Sequence, residues 1–187
     1  MNLNKTHLVR GLLTFAALLC TGSFLQGQAP SVSQPLQRYH YKWFNQKLPL
    51  DTLVSYQGDT LIISGAKKSY VISFWLTTCP PCRAEAKWLN KLKAEYESDS
   101  LGFIAITFEP SEELMAFLKD HPFSFEHFYL EQKIINELSL ARGYPTNLLL
   151  NSKGIVVFYK AGGYADEERA EVIYTTFAQQ IKEHFGD

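Results

Sequence analysis

A three-layer α/β sandwich around a mixed sheet is the architecture this chain predicts. Two stretches, Tyr70–Leu76 and Leu101–Phe108, are short, apolar and rich in β-branched and aromatic residues, which is the pattern of buried strands. Helical spacing follows each of them, and a late pair of apolar runs is joined by the turn Asn151-Ser152-Lys153-Gly154. Right-handed crossovers make the first two strands parallel neighbours, and the late hairpin extends the sheet antiparallel.

Taken in order, residues 1–27 read as a secretory signal. Lys5 and Arg10 precede the apolar segment Gly11–Cys20, which is too short to span a bilayer comfortably, and small residues follow, so that cleavage after Gly22 or Gly27 is open. An uncleaved anchor, or a lipidated Cys20, is the alternative; Leu19 is a poor residue ahead of a lipidation site, which wants a small side chain. Residues 28–38 are polar with Pro30 and Pro35 and read as a tether, leaving 39–187 as one domain. Tyr39–Phe44 suggests an edge strand. Leu53–Tyr56 and Thr60–Ile63, around Gln57-Gly58-Asp59, predict an N-terminal β-hairpin. Helical spacing runs over Ala84–Glu97, with Trp88, Leu89 and Leu92 on one face. Ser111 is placed to cap a helix over Glu112–Lys119 that His121-Pro122 stops. Phe123–Leu130 is extended, Glu131–Leu140 helical, Thr146–Leu150 and Ile155–Tyr159 a hairpin, and Asp166–Phe185 a terminal helix.

Composition narrows the function. A hydrophobic fraction of 46% supports a substantial core, and a net charge of −1 offers nothing to nucleic acid or an anionic membrane surface. Of three cysteines, Cys20 lies in the leader; if it leaves with the leader, the mature chain keeps only Cys79 and Cys82. One close-spaced pair is not a disulfide scaffold, and a bridge closing so small a loop adds little stability. The pair therefore points to chemistry.

Its position says which chemistry. Cys79-Pro80-Pro81-Cys82 stands where a strand ends and a helix begins. The first turn of a helix has unpaired N–H groups and partial positive charge, so a thiolate there is stabilised, and the thiolate is what attacks a disulfide. Cys79, at the N-cap and partly exposed, is the expected nucleophile; Cys82, one turn further in, the expected resolving thiol. Pro80 and Pro81 suit a first turn that does not need their N–H groups. Further along, Gly143-Tyr144-Pro145-Thr146 precedes the late hairpin, where a proline entering a strand is either an ordinary trans turn residue or a cis peptide. A cis bond would leave backbone groups free to pair with an extended substrate.

Together, Phe74-Trp75-Leu76-Thr77-Thr78-Cys79-Pro80-Pro81-Cys82 and Gly143-Tyr144-Pro145-Thr146 resemble the thioredoxin superfamily, and more narrowly the exported TlpA/ResA-type thiol–disulfide oxidoreductases of bacteria. The likeness spans about residues 45–185. It implies a thioredoxin-like fold, a redox disulfide Cys79–Cys82, and a substrate surface from Pro80, Pro81, Tyr144, Pro145 and Thr146. Glu85 and Glu109 match two acidic residues that branch holds near its cysteines. The chain departs in three places: Thr78 stands where the family has Trp, Ser73 where thioredoxin has a buried Asp, and Ala86-Lys87 where a proline follows the helix glutamate. Without that Asp, Glu109 is the candidate general base; alternatively it is a solvated strand-end carboxylate. Glu85 is a second candidate, or else a surface charge complementing the helix dipole.

The expected function is thus thiol–disulfide exchange with protein dithiol or disulfide clients in the periplasm, by a monomer without cofactor or metal. The resemblance implies a membrane thiol electron donor and names apocytochrome c as one client. The rivals are a metal carrier using Cys79, Cys82, His121 and His127, a peroxidase of the peroxiredoxin kind, and a redox-inactive binding module. The spacing around Pro122 disfavours the first, the lack of proline over residues 70–78 the second, and the intact cysteine pair the third.

Overall fold

The computed structural model describes residues 41–63, 67–138 and 140–186, which belong to a compact unit spanning Arg38–Asp187. The predicted leader and tether lie outside the described residues. Among the described residues, seven strands form one sheet: β1 (Thr52–Ser55), β2 (Thr60–Ile62), β3 (Ser69–Phe74), β4 (Leu101–Thr107), β5 (Glu126–Tyr129), β6 (Thr146–Leu150) and β7 (Val156–Ala161), in the order β2-β1-β5-β4-β3-β6-β7. β3, β4 and β5 are parallel neighbours, β6 and β7 extend one edge antiparallel, and the β1–β2 hairpin pairs antiparallel with β5 at the other. The expected mixed sheet with an N-terminal hairpin is what forms.

The central strands are buried along their whole length, as expected of parallel strands covered on both faces. On one face Val71, Phe103, Ala105 and Leu149 pack under α1 (Pro80–Tyr96), α2 (Ser111–Asp120) and α5 (Val172–Phe185), through Leu89, Leu92, Leu114, Ile173 and Phe177. On the other, Ile72, Phe74, Ile104, Ile106 and Leu148 pack under α3 (Gln132–Glu137) and the segment carrying Tyr41, Leu48 and Leu50. Leu89 and Leu92 each contribute on the order of 2 kcal/mol by leaving water.

Four expectations are corrected. The described part of the Tyr39–Phe44 stretch is not a strand: Phe44 makes one isolated bridge to Val156. Its aromatic side chains are used for anchoring instead, the Tyr41 hydroxyl donating to the Leu140 carbonyl and the Trp43 indole to the Leu138 carbonyl, each at 2.7 Å. Ser111 is the first residue of α2 rather than its cap; Pro110 holds the N-cap position. α3 is shorter than the predicted Glu131–Leu140. The terminal helix divides into α4 (Glu167–Ala170), whose N-cap Asp166 accepts from the Arg169 N–H at 2.9 Å, and α5.

Candidate active site

The sheet delivers the Cys-x-x-Cys turn from the end of β3. The Trp75 N–H donates to the Ile106 carbonyl at 3.1 Å, continuing the ladder, and the chain then turns into α1 with Cys79 at its N-cap. Pro80 and Pro81 fill the first two helical positions. Cys79 and Cys82 are joined in a disulfide, with Cα atoms 5.2 Å apart. Cys82 is buried at 3% exposure, whereas Cys79 is half-buried. With prolines at the first two positions, Cys82 has the first free N–H of the helix, and it donates to the Cys79 Sγ at 3.2 Å.

The proline loop lies beside this turn because of register. Thr146, the first residue of β6, pairs with Phe74, the last of β3. The Tyr144–Pro145 bond is cis. Thr146 closes the turn, its hydroxyl donating to the Gly143 carbonyl at 2.8 Å and accepting from the Arg142 N–H at 3.1 Å. Tyr144 is half-buried against Phe108, which pushes its phenol pKa up. The Pro145 carbonyl accepts from the Gly162 N–H at 2.7 Å, which takes one of its two acceptor sites.

The two acidic candidates occupy different places. Glu109 follows β4 and is 8% exposed, so it is not a solvated strand end. Its carboxylate accepts from the Thr77 N–H at 2.9 and 3.0 Å, from the Thr77 hydroxyl at 2.6 Å and from the Thr107 hydroxyl at 3.1 Å. It therefore holds the loop two residues ahead of Cys79. The Tyr56 hydroxyl of the N-terminal hairpin donates to the Glu109 carbonyl at 2.6 Å, tying the hairpin to the same loop.

Glu85 is not a surface charge. It is fully buried, on the α1 stripe Cys82, Glu85, Leu89, Leu92 that faces the sheet. The Asn147 amide donates to its Oε2 at 2.8 Å, and the Lys160 ammonium lies 3.4 Å from its Oε1. Burial raises its pKa, while Lys160 and the Asn147 hydrogen bond oppose that. A Cβ at Gly163 would meet both the Glu85 carboxyl and, at 3.2 Å, the Pro145 ring, so the carboxyl sits against the proline loop. Gly163→Ala is therefore expected to cost about 1–3 kcal/mol through overpacking, read as a lowered denaturant midpoint at unchanged slope. An unchanged midpoint would mean the loop yields freely.

Of the other histidines, His121 is exposed and stacked on Phe117, and His127 is buried between Trp75 and Phe123. No group of three or more His, Cys, Asp and Glu suited to a metal ion occurs among the described residues. Residues not anticipated are Thr77 and Thr107 beside Glu109, and Asn147 and Lys160 beside Glu85. A polar Asn147 ahead of the buried run Leu148–Leu150 was the available signal for one of them.

A disulfide at a helix N-cap beside a cis-proline loop, on a mixed sheet covered by helices on both faces, defines a thioredoxin-like oxidoreductase. The family model described as Redoxin matches residues 44–173, more than half of the chain, which belongs to that family. Within it the chain is a TlpA/ResA-like member of the thioredoxin superfamily. It is similar to the thioredoxin-like protein YneN of Bacillus subtilis, 30% identical over 128 residues, covering 66% of this chain and 74% of that protein. It is also similar to the thiol–disulfide oxidoreductase ResA of Halalkalibacterium halodurans, 29% identical over 101 residues, covering 54% of this chain and 57% of ResA. Among solved structures, the thioredoxin domain of a thiol–disulfide oxidoreductase from Bacteroides vulgatus superposes with a TM-score of 0.61 at 17% identity, covering 74% of this chain and 97% of that one. StoA from Bacillus subtilis gives 0.54 at 21% identity, covering 66% and 92%. At such identities the structures speak for the fold alone.

Proposed function

We propose that this chain reduces protein disulfides in the bacterial cell envelope by dithiol–disulfide exchange through its Cys-Pro-Pro-Cys pair. The observation that carries the reading is the asymmetric disulfide: Cys79 at the N-cap and within reach, Cys82 buried behind it. In the reduced protein the Cys79 thiolate attacks a client disulfide. The client S–S bond breaks, one client sulfur leaves as thiolate, and a mixed disulfide forms. Cys82 then gives up its proton and attacks the Cys79 Sγ; the second client sulfur leaves as thiolate and takes a proton. Client disulfide plus enzyme dithiol become client dithiol plus enzyme disulfide.

Glu85, one helical turn from Cys82 and fully buried, is our candidate for taking the Cys82 proton, in the role the missing strand Asp would have filled at Ser73. Glu109 serves as a positioning residue that fixes the loop through Thr77. Tyr144, Pro80 and Pro81 form the client-facing surface; Pro145 and Thr146, expected there from the sequence, are buried and shape the loop behind it. The reaction needs neither cofactor nor metal. The domain acts as an exported monomer, periplasmic or tethered by its leader or a lipidated Cys20, recharged by a membrane thiol donor; apocytochrome c is the client its TlpA/ResA likeness favours.

The test is the equilibrium reduction potential of Cys79–Cys82 in the leader-free domain, titrated against a thiol buffer. A reductant is expected near or below about −220 mV. A value near about −120 to −180 mV would replace the reducing direction with an oxidase or isomerase role. A pair that never exchanges with the buffer would overturn the redox reading in favour of a binding module.

A further inference from the structure

We propose that Lys160 is a positioning residue of the exchange reaction, holding the buried Glu85 carboxyl ionised so that it can accept the Cys82 proton. The inference rests on the role proposed above for Glu85.

The sheet register builds the arrangement. Ser73 of β3 pairs with Asn147 of β6, and Asn147 with Lys160 of β7. Directly paired residues project on the same face, so these three side chains form a row across the sheet. That face carries α1, whose buried stripe places Glu85 over the row. Asn147 engages one carboxyl oxygen and Lys160 the other, and the Lys160 ammonium is itself steadied by the Gly162 carbonyl at 2.8 Å. Of the groups facing Glu85 among the described residues, Asn147 and Ser73 are neutral, the loop after β7 offers Gly162 and Gly163, and α1 contributes Cys82 one turn away. Lys160 supplies the compensating charge. Its side chain is 21% exposed, so the ammonium keeps contact with water while Glu85 has none.

The physical consequence is a balance. Burial penalises the carboxylate and raises its pKa, and the Lys160 charge, with the Asn147 hydrogen bond, opposes that. With Lys160 present, Glu85 can take the Cys82 proton as Cys82 attacks the Cys79 Sγ, and release it to the departing client thiolate. Without the Lys160 charge, burial is opposed by the Asn147 hydrogen bond alone, and Glu85 keeps a proton to higher pH, where it cannot accept another.

The experiment is turnover on a protein disulfide as a function of pH, for wild type, Lys160→Gln, Lys160→Arg, Glu85→Gln and the double variant Glu85→Gln/Lys160→Gln. Lys160→Gln is expected to move the acid limb of the profile upward by about one pH unit or more, a roughly tenfold loss at neutral pH recovered under alkaline conditions. Lys160→Arg is expected to keep the wild-type profile. Glu85→Gln is expected to remove the limb, and the double variant to match it. Lys160→Met provides a second neutral variant should the glutamine fail to fold, and a carboxylic-acid infrared band at neutral pH, absent from Glu85→Gln, reports the protonated state directly. A Lys160→Gln or Lys160→Met profile that superimposes on wild type, or is scaled equally at every pH, overturns the proposal. A Glu85→Gln profile identical to wild type overturns the Glu85 role instead, which keeps the two failures apart.

Discussion

Cys79→Ser is expected to abolish exchange, with a loss on the order of at least 10³-fold, whereas Cys82→Ser is expected to attack its client once and stall as a mixed disulfide. The asymmetry follows from the first turn of α1. Cys79 is the N-cap residue, where the helix end is most positive, and it is the more exposed of the two sulfurs. Because Pro80 and Pro81 lack N–H groups, the helix presents its first donor at Cys82, and that donor points at the Cys79 Sγ. A thiolate on Cys79 inherits this hydrogen bond and the helix field together, which stabilises it as the attacking group. A thiol on Cys82, at 3% exposure, has no access to a client. It can reach only the sulfur beside it. Non-reducing electrophoresis and mass spectrometry of each variant after incubation with an oxidised protein substrate check this directly: the adduct should accumulate with Cys82→Ser alone. Equal residual activity in the two variants, or an adduct on Cys82 in Cys79→Ser, would remove the assigned roles.

What could be read in the sequence was what is local along the chain. The buried strands, the cysteine pair at a helix start and the proline ahead of the late hairpin each declare themselves within a dozen residues. Glu85 was legible in part: it stands on the same helical stripe as Cys82, Leu89 and Leu92, a charge where periodicity calls for an apolar residue. Its partners were not legible. Asn147 and Lys160 lie 62 and 75 residues further on and meet it only through the β3–β6–β7 register. Thr77 and Glu109, 32 residues apart, are likewise brought together by the parallel pairing of β3 and β4. The misread elements share another cause. At Tyr41–Phe44 side-chain hydrogen bonds to Leu138 and Leu140 replace strand pairing, and at Asp166 a capping carboxylate starts a short helix ahead of the long one.

The two buried glutamates divide labour in a way the fold makes physical. Glu109 spends its acceptor capacity on Thr77 and Thr107, which suits a carboxylate that orders a loop. Glu85 receives one neutral hydrogen bond and one ion pair, keeps acceptor capacity, and sits one turn from the resolving thiol on the same helix. The fold therefore supplies a rigid holder after β4 and, on α1, a carboxyl whose partners Asn147 and Lys160 come from the sheet.

Acid is expected to weaken the domain through His127. Its ring is 6% exposed, wedged edge-on against Trp75 and Phe123 at centroid distances of 5.5 Å. Burial holds its pKa down at about 4, with Lys93 adding to the depression and a backbone hydrogen bond at Phe125 opposing it. An unfolded chain would protonate this imidazole near its ordinary value of 6.5. Between those values the unfolded state binds a proton that the folded state refuses, so stability is full above about pH 6.5 and is lost as the pH falls toward about 4. The total loss is on the order of 3 kcal/mol, roughly a hundredfold in the folding equilibrium. Glu85 acts with the opposite sign: its raised pKa means the folded state takes up a proton before the unfolded state does, so mild acid relieves its burial. Wild type alone would therefore show the difference of two effects. Comparison with His127→Leu, which fills the same aromatic pocket without a titratable nitrogen, isolates the imidazole. Urea unfolding of the oxidised domain at neutral and mildly acidic pH should show the midpoint of wild type falling and that of His127→Leu staying level or rising. Parallel pH dependence in the two proteins would mean that the ring already carries its proton in the folded state, and would return His127 to the status of an ordinary core residue.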